Sequence, residues 1–232
     1  SSMNLSFTRE DDREAVEENY RRMAAALGVE TESLTLTWQT HTVNVRKVTW
    51  EDRGKGVSRE RDYRDVDGLV TDVPGITLVT FFADCVPLYF LDPVRKAIGL
   101  SHSGWRGTAA RMGQKTLEKM REEFGTDPRD VIACVGPSIC GDCYEVGEEV
   151  AAVFTAEFGP RWEREILRPG VRPGKYQLDL WKANEAVLLE AGIAPDHLHV
   201  TDICTCCNPD YLYSHRKMGE KRGNLCAFLA LK

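Results

Sequence analysis

The sequence contains little histidine. There are five histidines among 232 residues, and they include one His-x-His pair, at His197 and His199. A multicopper oxidase needs many imidazole ligands, commonly arranged in such pairs, together with a cysteine beside histidines. The small number of histidines therefore argues against a multicopper oxidase.

The sequence also lacks a long apolar run and a broad basic surface. No apolar run reaches the roughly 18 residues of a membrane span, and the polar start from Ser1 to Asn4 has no signal-peptide character. The formal net charge is −6, and basic residues alternate with acidic ones from Arg59 to Asp65, unlike a nucleic-acid-binding surface. We therefore expect a cytoplasmic protein that binds neither membranes nor nucleic acid. We also expect a monomer or a homodimer.

The hydrophobic periodicity predicts alternating helices and strands without a repeat. Helices are expected near 11–27, 107–124, 147–158 and 179–191, and loops at 54–65 and 160–175. Strands are expected at 34–38, 43–49, 76–82, 86–91, 96–101, 131–135, 198–202 and 225–231. Because 42% of the residues are hydrophobic, the chain has enough apolar side chains for one domain spanning residues 1–232. The predicted fold is α+β, a mixed β-sheet sandwich flanked by helices.

Three candidate metal ligands follow or end apolar, strand-like runs. His41 follows the run Leu34 to Trp38, Cys85 follows 76–82, and His102 follows 96–101. Two imidazoles and a thiolate would give three protein ligands and one open position, the pattern of a catalytic zinc site. A thiolate and an imidazole also make a nucleophile and base pair. The wide spacing of these residues fits no local zinc-finger pattern, so the sequence alone leaves both interpretations open.

The motifs around these residues resemble the laccase-domain family, whose members have been called multicopper polyphenol oxidases, purine nucleoside phosphorylases and peptidoglycan editing factors. They occur in one order from about Asn4 to the C-terminus: Gln39-x-His41, Ala83-Asp84-Cys85-x-Pro87, His102-x-Gly104-Trp105-Arg106-Gly107, Gly136-Pro137-x-Ile139, Tyr144-Glu145-Val146, Cys204-Thr205, Tyr213-Ser214-His215-Arg216 and Arg222-Gly223. The resemblance implies zinc on His41, Cys85 and His102, and a purine nucleoside as substrate. It also implies the fold shared with cysteine-dependent toxin deamidases.

The resemblance favours a zinc-dependent purine nucleoside phosphorylase, which converts inosine or adenosine and phosphate to free base and ribose 1-phosphate. Arg106 lies beside a predicted helix start and is expected to hold the phosphate, the alternative being an ion pair with a surface carboxylate. The expected substrate-binding residues are Gln39, Asp67, Arg106 and Arg216, although Asp67-Gly68 also fits a simple turn. The expected catalytic residues are Cys85, His102, Asp84 and Arg106.

Two further activities stay open at this point. Adenosine deamination would use the same metal with an activated water, and Asp84 as a nearby acid or base. A metal-free hydrolase acting on an amide or a peptidoglycan precursor would instead use Cys85 as nucleophile and His102 as base. The hydrolase would not need His41 nearby.

A second group of cysteines is an alternative candidate for a metal site. Cys140-x-x-Cys143 and Cys204-x-Cys206-Cys207 contain enough sulfur for a four-thiolate structural zinc site if the two loops meet. A non-catalytic module would place that zinc on Cys140, Cys143, Cys204 and Cys206. Cysteines are so often simply buried that we favour buried or free thiols here.

Overall fold

The protein is built around a sandwich of two β-sheets with helices on both outer faces, and it has a third, smaller sheet. The structure is a computed structural model and describes residues 3–8 and 11–232. The strands are β1 (Leu34–Leu36), β2 (Val45–Lys47), β3 (Gly68–Thr71), β4 (Thr77–Phe82), β5 (Val86–Asp92), β6 (Ala97–Ser103), β7 (Ile132–Val135), β8 (Glu145–Gly147), β9 (Leu167–Pro169), β10 (Lys175–Leu178), β11 (Leu198–Val200) and β12 (Leu225–Ala230). The helices are α1 (Arg13–Leu27), α2 (Trp105–Ala109), α3 (Met112–Phe124), α4 (Glu148–Ile166), α5 (Leu180–Glu190) and α6 (His215–Met218).

The strands form three mixed or antiparallel sheets. The largest has six strands in the order β11-β7-β5-β6-β3-β2, with parallel pairs at its two ends. A three-stranded sheet, β1-β4-β12, packs against it through a core that includes Leu69, Leu78 and Leu100. A third small sheet, β8-β10-β9, is antiparallel.

The helices bury their apolar faces against opposite sides of the sandwich. α3 and α5 cover the large sheet, and α4 packs against α5 and the third small sheet. Met120, Phe154 and Val187, one from each helix, join the buried residues of the large sheet in one core. α1 covers the small sheet, where Val16 and Tyr20 pack with its strands. Among the described residues, no helix is long and apolar enough to cross a lipid bilayer. The predicted α+β class with flanking helices is confirmed.

Several predicted boundaries were wrong. The single helix expected at 107–124 is two helices, because Arg111 adopts a left-handed conformation with φ 62°. The helix expected to end near 158 continues to Ile166 across a break at Gly159 (φ 61°). The loop expected at 160–175 therefore contains the end of α4 and, at 167–169, β9, which pairs with β10 in an antiparallel hairpin. The sequence analysis also missed the fully buried strand β3, Gly68–Thr71.

Candidate active site at one end of the large sheet

The register of the large sheet brings the candidate residues to one end. β5 and β6 are antiparallel with Pro87 opposite His102, and β6 and β3 are antiparallel with Ser101 opposite Gly68. Cys85, just before β5, and Asp67, just before β3, therefore flank His102. His102 lies inside β6, which extends to Ser103 and not only to the expected Ser101.

Asp67 is the carboxylate that orients His102. It is fully buried, with 0% of its surface exposed, and its Oδ1 lies 2.9 Å from His102 Nδ1. The same Oδ1 accepts a hydrogen bond from the amide of His41 at 3.1 Å. Oδ2 accepts from the amides of Thr40 and Thr42 and from the Thr42 hydroxyl, each at 3.0 Å. A carboxylate on Nδ1 fixes the imidazole so that Nε2 is left for a ligand.

The turn carrying His41 is strained and tightly held. His41 has φ 65°, a left-handed conformation that is uncommon for a residue with a side chain. The amides of this turn wrap the Asp67 carboxylate, and Trp38 pairs with Val66 through two backbone hydrogen bonds of 3.0 and 2.9 Å. One buried carboxylate thus positions both histidines, one through its imidazole and the other through its backbone.

The three expected ligands converge. One ligand atom each from His41, Cys85 and His102 lies within 4.8 Å of the others, and the two imidazole rings meet edge to face with centroids 5.1 Å apart. His102 is buried, Cys85 is half-buried and His41 is exposed. Gly104 closes one side, because a Cβ there would lie 2.9 Å from Cys85 Sγ and 3.2 Å from His41 Cδ2.

The electrostatics of the cluster favour a thiolate beside a cationic imidazole. Burial acts to raise the pKa of the Cys85 thiol, but the charge on His102 and hydrogen bonds from both histidines outweigh it and lower that pKa to about 6. Burial likewise acts to lower the pKa of His102, but Cys85 and Asp67 raise it to about 9. A sulfur in this state is ready to bind a metal or to act as a nucleophile.

The carboxylate of Asp84 bonds to Thr205 and to the backbone of Arg216. Its Oδ1 accepts a 2.6 Å hydrogen bond from the Thr205 hydroxyl, and its Oδ2 accepts one of 2.6 Å from the amide of Arg216. Its backbone has φ 82°, and its carbonyl accepts from the amide of Ile139 at 3.1 Å. The carboxylate that bonds to His102 is that of Asp67, whereas the carboxylate of Asp84, expected as an acid or base, is engaged by Thr205 and by the Arg216 backbone. Asp84 instead fixes the turn that presents Cys85.

Two arginines flank the cluster on the side of Tyr144. Arg106 is exposed in the first turn of α2, and its guanidinium lies 4.2 Å from the centre of the Trp105 ring. The guanidinium of Arg216 lies 5.0 Å from the Tyr144 ring and donates to the Glu145 carbonyl at 2.7 Å. Burial raises the pKa of Tyr144 to about 12, and its electrostatic neighbours include Cys85 and both arginines. The helix starts two residues earlier than expected, at Trp105 and not after Arg106.

A cavity of about 390 Å³ opens beside the cluster. Its lining combines aromatic side chains with polar ones and includes all three converging residues; the aromatic and basic members are Phe7, Tyr20, Trp38, Phe81, Phe82, Arg61 and Arg222. Gln39 also lines it, but its amide is bonded to the backbone of Phe81, with Nε2 donating at 2.7 Å and Oε1 accepting at 2.8 Å. The Arg61 guanidinium lies 4.5 Å from the centre of the Trp38 ring.

The second group of cysteines also converges, with one change of membership. The sulfurs of Cys140, Cys143, Cys204 and Cys207 lie within 4.8 Å of one another. Cys206, expected in a four-thiolate set, does not belong to that group. The sequence does carry a signal for Cys207 as the fourth member, because Cys204 and Cys207 repeat the C-x-x-C spacing of Cys140 and Cys143.

Sequence reasoning missed two parts of the site. The contact between Asp67 and His102 arises from the register of β3 against β6, and β3 was not predicted. The packing of Gly104 against Cys85 and His41 joins three segments distant in sequence, and no local pattern reports it.

Comparison with known proteins extends the resemblance to the whole chain. A family model described as multi-copper polyphenol oxidoreductase laccase matches residues 1–232. Purine nucleoside phosphorylase YlmD of Bacillus subtilis (strain 168) is 34% identical over 235 residues, which cover 100% of this chain and 82% of that protein. Adenosine deaminase RL5, from an unknown prokaryotic organism, is 34% identical over 225 residues, covering 96% of this chain and 84% of that protein.

A solved structure agrees with these sequence matches. The crystal structure of Bacillus licheniformis hypothetical protein YfiH superposes with a TM-score of 0.93 at 33% identity, covering 100% of this chain and 86% of that one. The family expected from the motifs is therefore confirmed: the chain belongs to the multi-copper polyphenol oxidoreductase laccase family.

Proposed function

We propose that the protein cleaves purine nucleosides with phosphate, giving free base and ribose 1-phosphate, and that it does so with a zinc ion held by His41, Cys85 and His102. The observation that carries this proposal is the convergence of two imidazoles and a thiolate within 4.8 Å beside a cavity of about 390 Å³. The relative YlmD, named a purine nucleoside phosphorylase, supports the choice of substrate.

The residues fit a zinc ion with an open position. Tetrahedral zinc with bonds of about 2.0–2.3 Å requires ligand atoms roughly 3.3–3.8 Å apart, and the three ligand atoms lie within 4.8 Å of one another. Asp67 already fixes one imidazole through Nδ1, as outer-sphere carboxylates do for metal-bound histidines. When bound, zinc would supply a Lewis acid that polarises a substrate or phosphate oxygen.

The chain's own residues would position both reactants at the cluster. Cleavage of the N-glycosidic bond builds positive charge on the ribose and negative charge on the departing purine, so an anionic nucleophile must be held near the anomeric carbon. We assign the base to the cavity, whose lining includes the aromatic residues Trp38 and Phe82. We assign the phosphate to Arg106, whose planar guanidinium is exposed and suited to two parallel hydrogen bonds.

The remaining predicted residues take supporting roles. Asp67 orients His102, and Asp84 holds the turn before Cys85, so we assign proton transfer to neither. Gln39 ties the His41 loop to β4 through the Phe81 backbone. Arg216 lies close enough to the Tyr144 ring to form part of the wall on the phosphate side.

Deamination of adenosine is a second candidate activity. The observation that favours it is the relative RL5, which is named an adenosine deaminase. The same cavity and cluster would serve, with the exocyclic amino group of the base turned toward the three ligands. Release of ammonia from adenosine, measured beside phosphorolysis of inosine, tests this second activity separately.

The test of the proposed function compares nucleoside cleavage with and without phosphate. Base release from inosine should require phosphate, and it should fall at least about 100-fold on chelation or in His41→Ala, because zinc binding is lost. His199→Ala, at an exposed histidine on β11, is the matched control and should retain activity. Base release that needs no phosphate, survives in His41→Ala and is lost in Cys85→Ala would instead indicate the metal-free Cys85–His102 hydrolase.

A further inference from the structure

The second group of cysteines lies on two loops that hydrogen-bond to each other beside the Asp84 turn. One loop runs from β7 to β8 and the other follows β11, and they pair through the Ser138 amide on the Ile203 carbonyl and the Thr205 amide on the Ser138 carbonyl, each at 3.1 Å. The Trp181 indole donates to the Ser138 hydroxyl at 2.6 Å. This pairing brings the two C-x-x-C segments together.

We propose that Cys140, Cys143, Cys204 and Cys207 bind a structural zinc ion that ties these two loops together. The four sulfurs lie within 4.8 Å of one another, with Cys143 and Cys207 3.4 Å apart. Tetrahedral zinc with bonds of about 2.3 Å places its sulfurs roughly 3.8 Å apart, so small side-chain adjustments suffice. Four thiolates leave no open position, which is the pattern of a structural site and not of a catalytic one.

The backbone around Cys204 is arranged for an anionic sulfur. Its Sγ accepts hydrogen bonds from the amides of Cys140 at 3.3 Å and Cys207 at 3.4 Å. Each donor belongs to another member of the cluster, so the two C-x-x-C turns wrap the same sulfur. Amide donors on sulfur stabilise the thiolate, which is the form that binds metal.

A disulfide fits the arrangement less well. All four cysteines are free thiols in the structure, and the 3.4 Å between Cys143 and Cys207 exceeds the roughly 2.05 Å of a disulfide bond. A single disulfide would also leave two of the four converging sulfurs without a role. One tetrahedral ion uses all four.

The zinc site would stabilise the turn that presents Cys85 to the candidate active site. Ile139 and Thr205, each next to a cluster cysteine, hydrogen-bond to the carbonyl and the carboxylate of Asp84. Asp84 has φ 82°, and such a conformation persists only where the surroundings hold it. The loops tied by zinc therefore fix the turn that presents Cys85. This inference does not depend on the substrate assigned above.

Metal stoichiometry tests the proposal on the purified full chain without an affinity tag. The wild type should contain about two zinc ions per chain, and His41→Ala and Cys207→Ser should each contain about one. Cys206→Ser is the matched control, because this cysteine adjoins the cluster without belonging to it, and it should keep both ions. About one ion in the wild type, lost completely in His41→Ala, would overturn the proposal.

Cobalt substitution gives a readout independent of activity. In His41→Ala, cobalt should produce the charge-transfer bands of several thiolates on a tetrahedral ion, and adding Cys207→Ser should reduce them sharply. Mapping by mass spectrometry of a Cys143–Cys207 disulfide in the protein as purified would overturn the proposal. Iron instead of zinc at the four cysteines would overturn the assignment of the metal.

Discussion

Replacing Asp67 by asparagine should disable the candidate site with little change in shape. The variant exchanges one carboxylate oxygen for an amide group that donates but does not accept. In the wild type, Oδ1 faces the His41 amide and His102 Nδ1, while Oδ2 accepts from the two amides and one hydroxyl of Thr40 and Thr42. In either orientation of the carboxamide, its NH₂ group faces at least two groups that donate hydrogen bonds to the carboxylate in the wild type.

The size of the effect follows from those lost acceptors. Each hydrogen bond to a charged acceptor contributes about 1.5–3 kcal/mol, so losing two costs about 3 kcal/mol or more. If the NH₂ group faces His102, Nδ1 must accept, and the proton moves to Nε2, the atom needed for the metal. We expect the lost hydrogen bonds to lower the free energy of unfolding of the zinc-free protein by about 3 kcal/mol. Separately, the wrong imidazole tautomer should lower zinc affinity about 10- to 100-fold, as is typical when the carboxylate partner of a metal-bound histidine is lost.

The assay is competition with a chelator, together with urea unfolding of the zinc-free protein. Asp65→Asn is the matched control. Asp65 is exposed and its side chain accepts one hydrogen bond, from Thr40 Oγ1 at 2.7 Å, and asparagine tolerates its φ of 55°. With two zinc sites, we expect zinc to be released in more than one phase. The phase that is absent in His41→Ala belongs to the site at His41, Cys85 and His102, and zinc affinity is read from that phase. Wild-type zinc affinity in Asp67→Asn would refute the role given to this carboxylate.

Three further predictions test other parts of the account. Gly104→Ala should lower zinc affinity at least about tenfold, because its Cβ would lie 2.9 Å from the Cys85 sulfur. Gly107→Ala is the control: its Cβ would have its nearest contact at 3.6 Å, so this variant should bind zinc as the wild type does. A chelator titration of both variants checks this. Arg106→Lys should lower the second-order rate constant for phosphate about 10- to 100-fold, because lysine replaces the guanidinium fork by a point charge. Arg161→Lys, which removes a similar guanidinium stacked on Trp162, should not change that constant, and equal phosphate kinetics in the two variants would contradict the assignment. Burial acts to raise the pKa of Asp52, but hydrogen bonds from Lys55, from the Thr49 backbone and from Arg46 lower it from 3.8 to about 2. The Asp52 carboxylate therefore contributes about 2 kcal/mol to the free energy of unfolding. This contribution is present above pH 3.8 and is lost as the pH falls through about 2. Asp52→Asn should flatten that part of the acid unfolding curve, and a curve of unchanged steepness would be the contrary result.

The sequence predicted the elements whose pattern is strong and local. The apolar runs that became β4, β5 and β6 were recognised because buried strands read as continuous hydrophobic segments. α5 was placed closely because Asp179 caps its start through the amide of Lys182. β3 was missed because it is only four residues long, Gly68–Thr71, and its preceding Asp67-Gly68 pair reads as a turn. The break at Arg111 was missed because a left-handed arginine has no sequence signal.

The candidate site was predictable in its ligands and not in their support. The motifs identified His41, Cys85 and His102, and these residues converge. The partner of His102 depends on strand register, which no spacing in the sequence reports. The role of Asp84 depends on Thr205, a residue 121 positions away. Such long-range contacts explain why the sequence assigned Asp84 an acid–base role and Asp67 a contact with substrate, whereas Asp67 bonds to His102 and Asp84 to Thr205.

The central claim is that the metal held by His41, Cys85 and His102 is needed for phosphorolysis. It is tested most directly by removing zinc with a chelator, restoring it stepwise, and measuring ribose 1-phosphate formed from inosine and phosphate at each step. The account predicts that activity is absent without metal and rises in proportion to filling of the His41 site. Full activity in the zinc-free protein, lost only in Cys85→Ala, would contradict it.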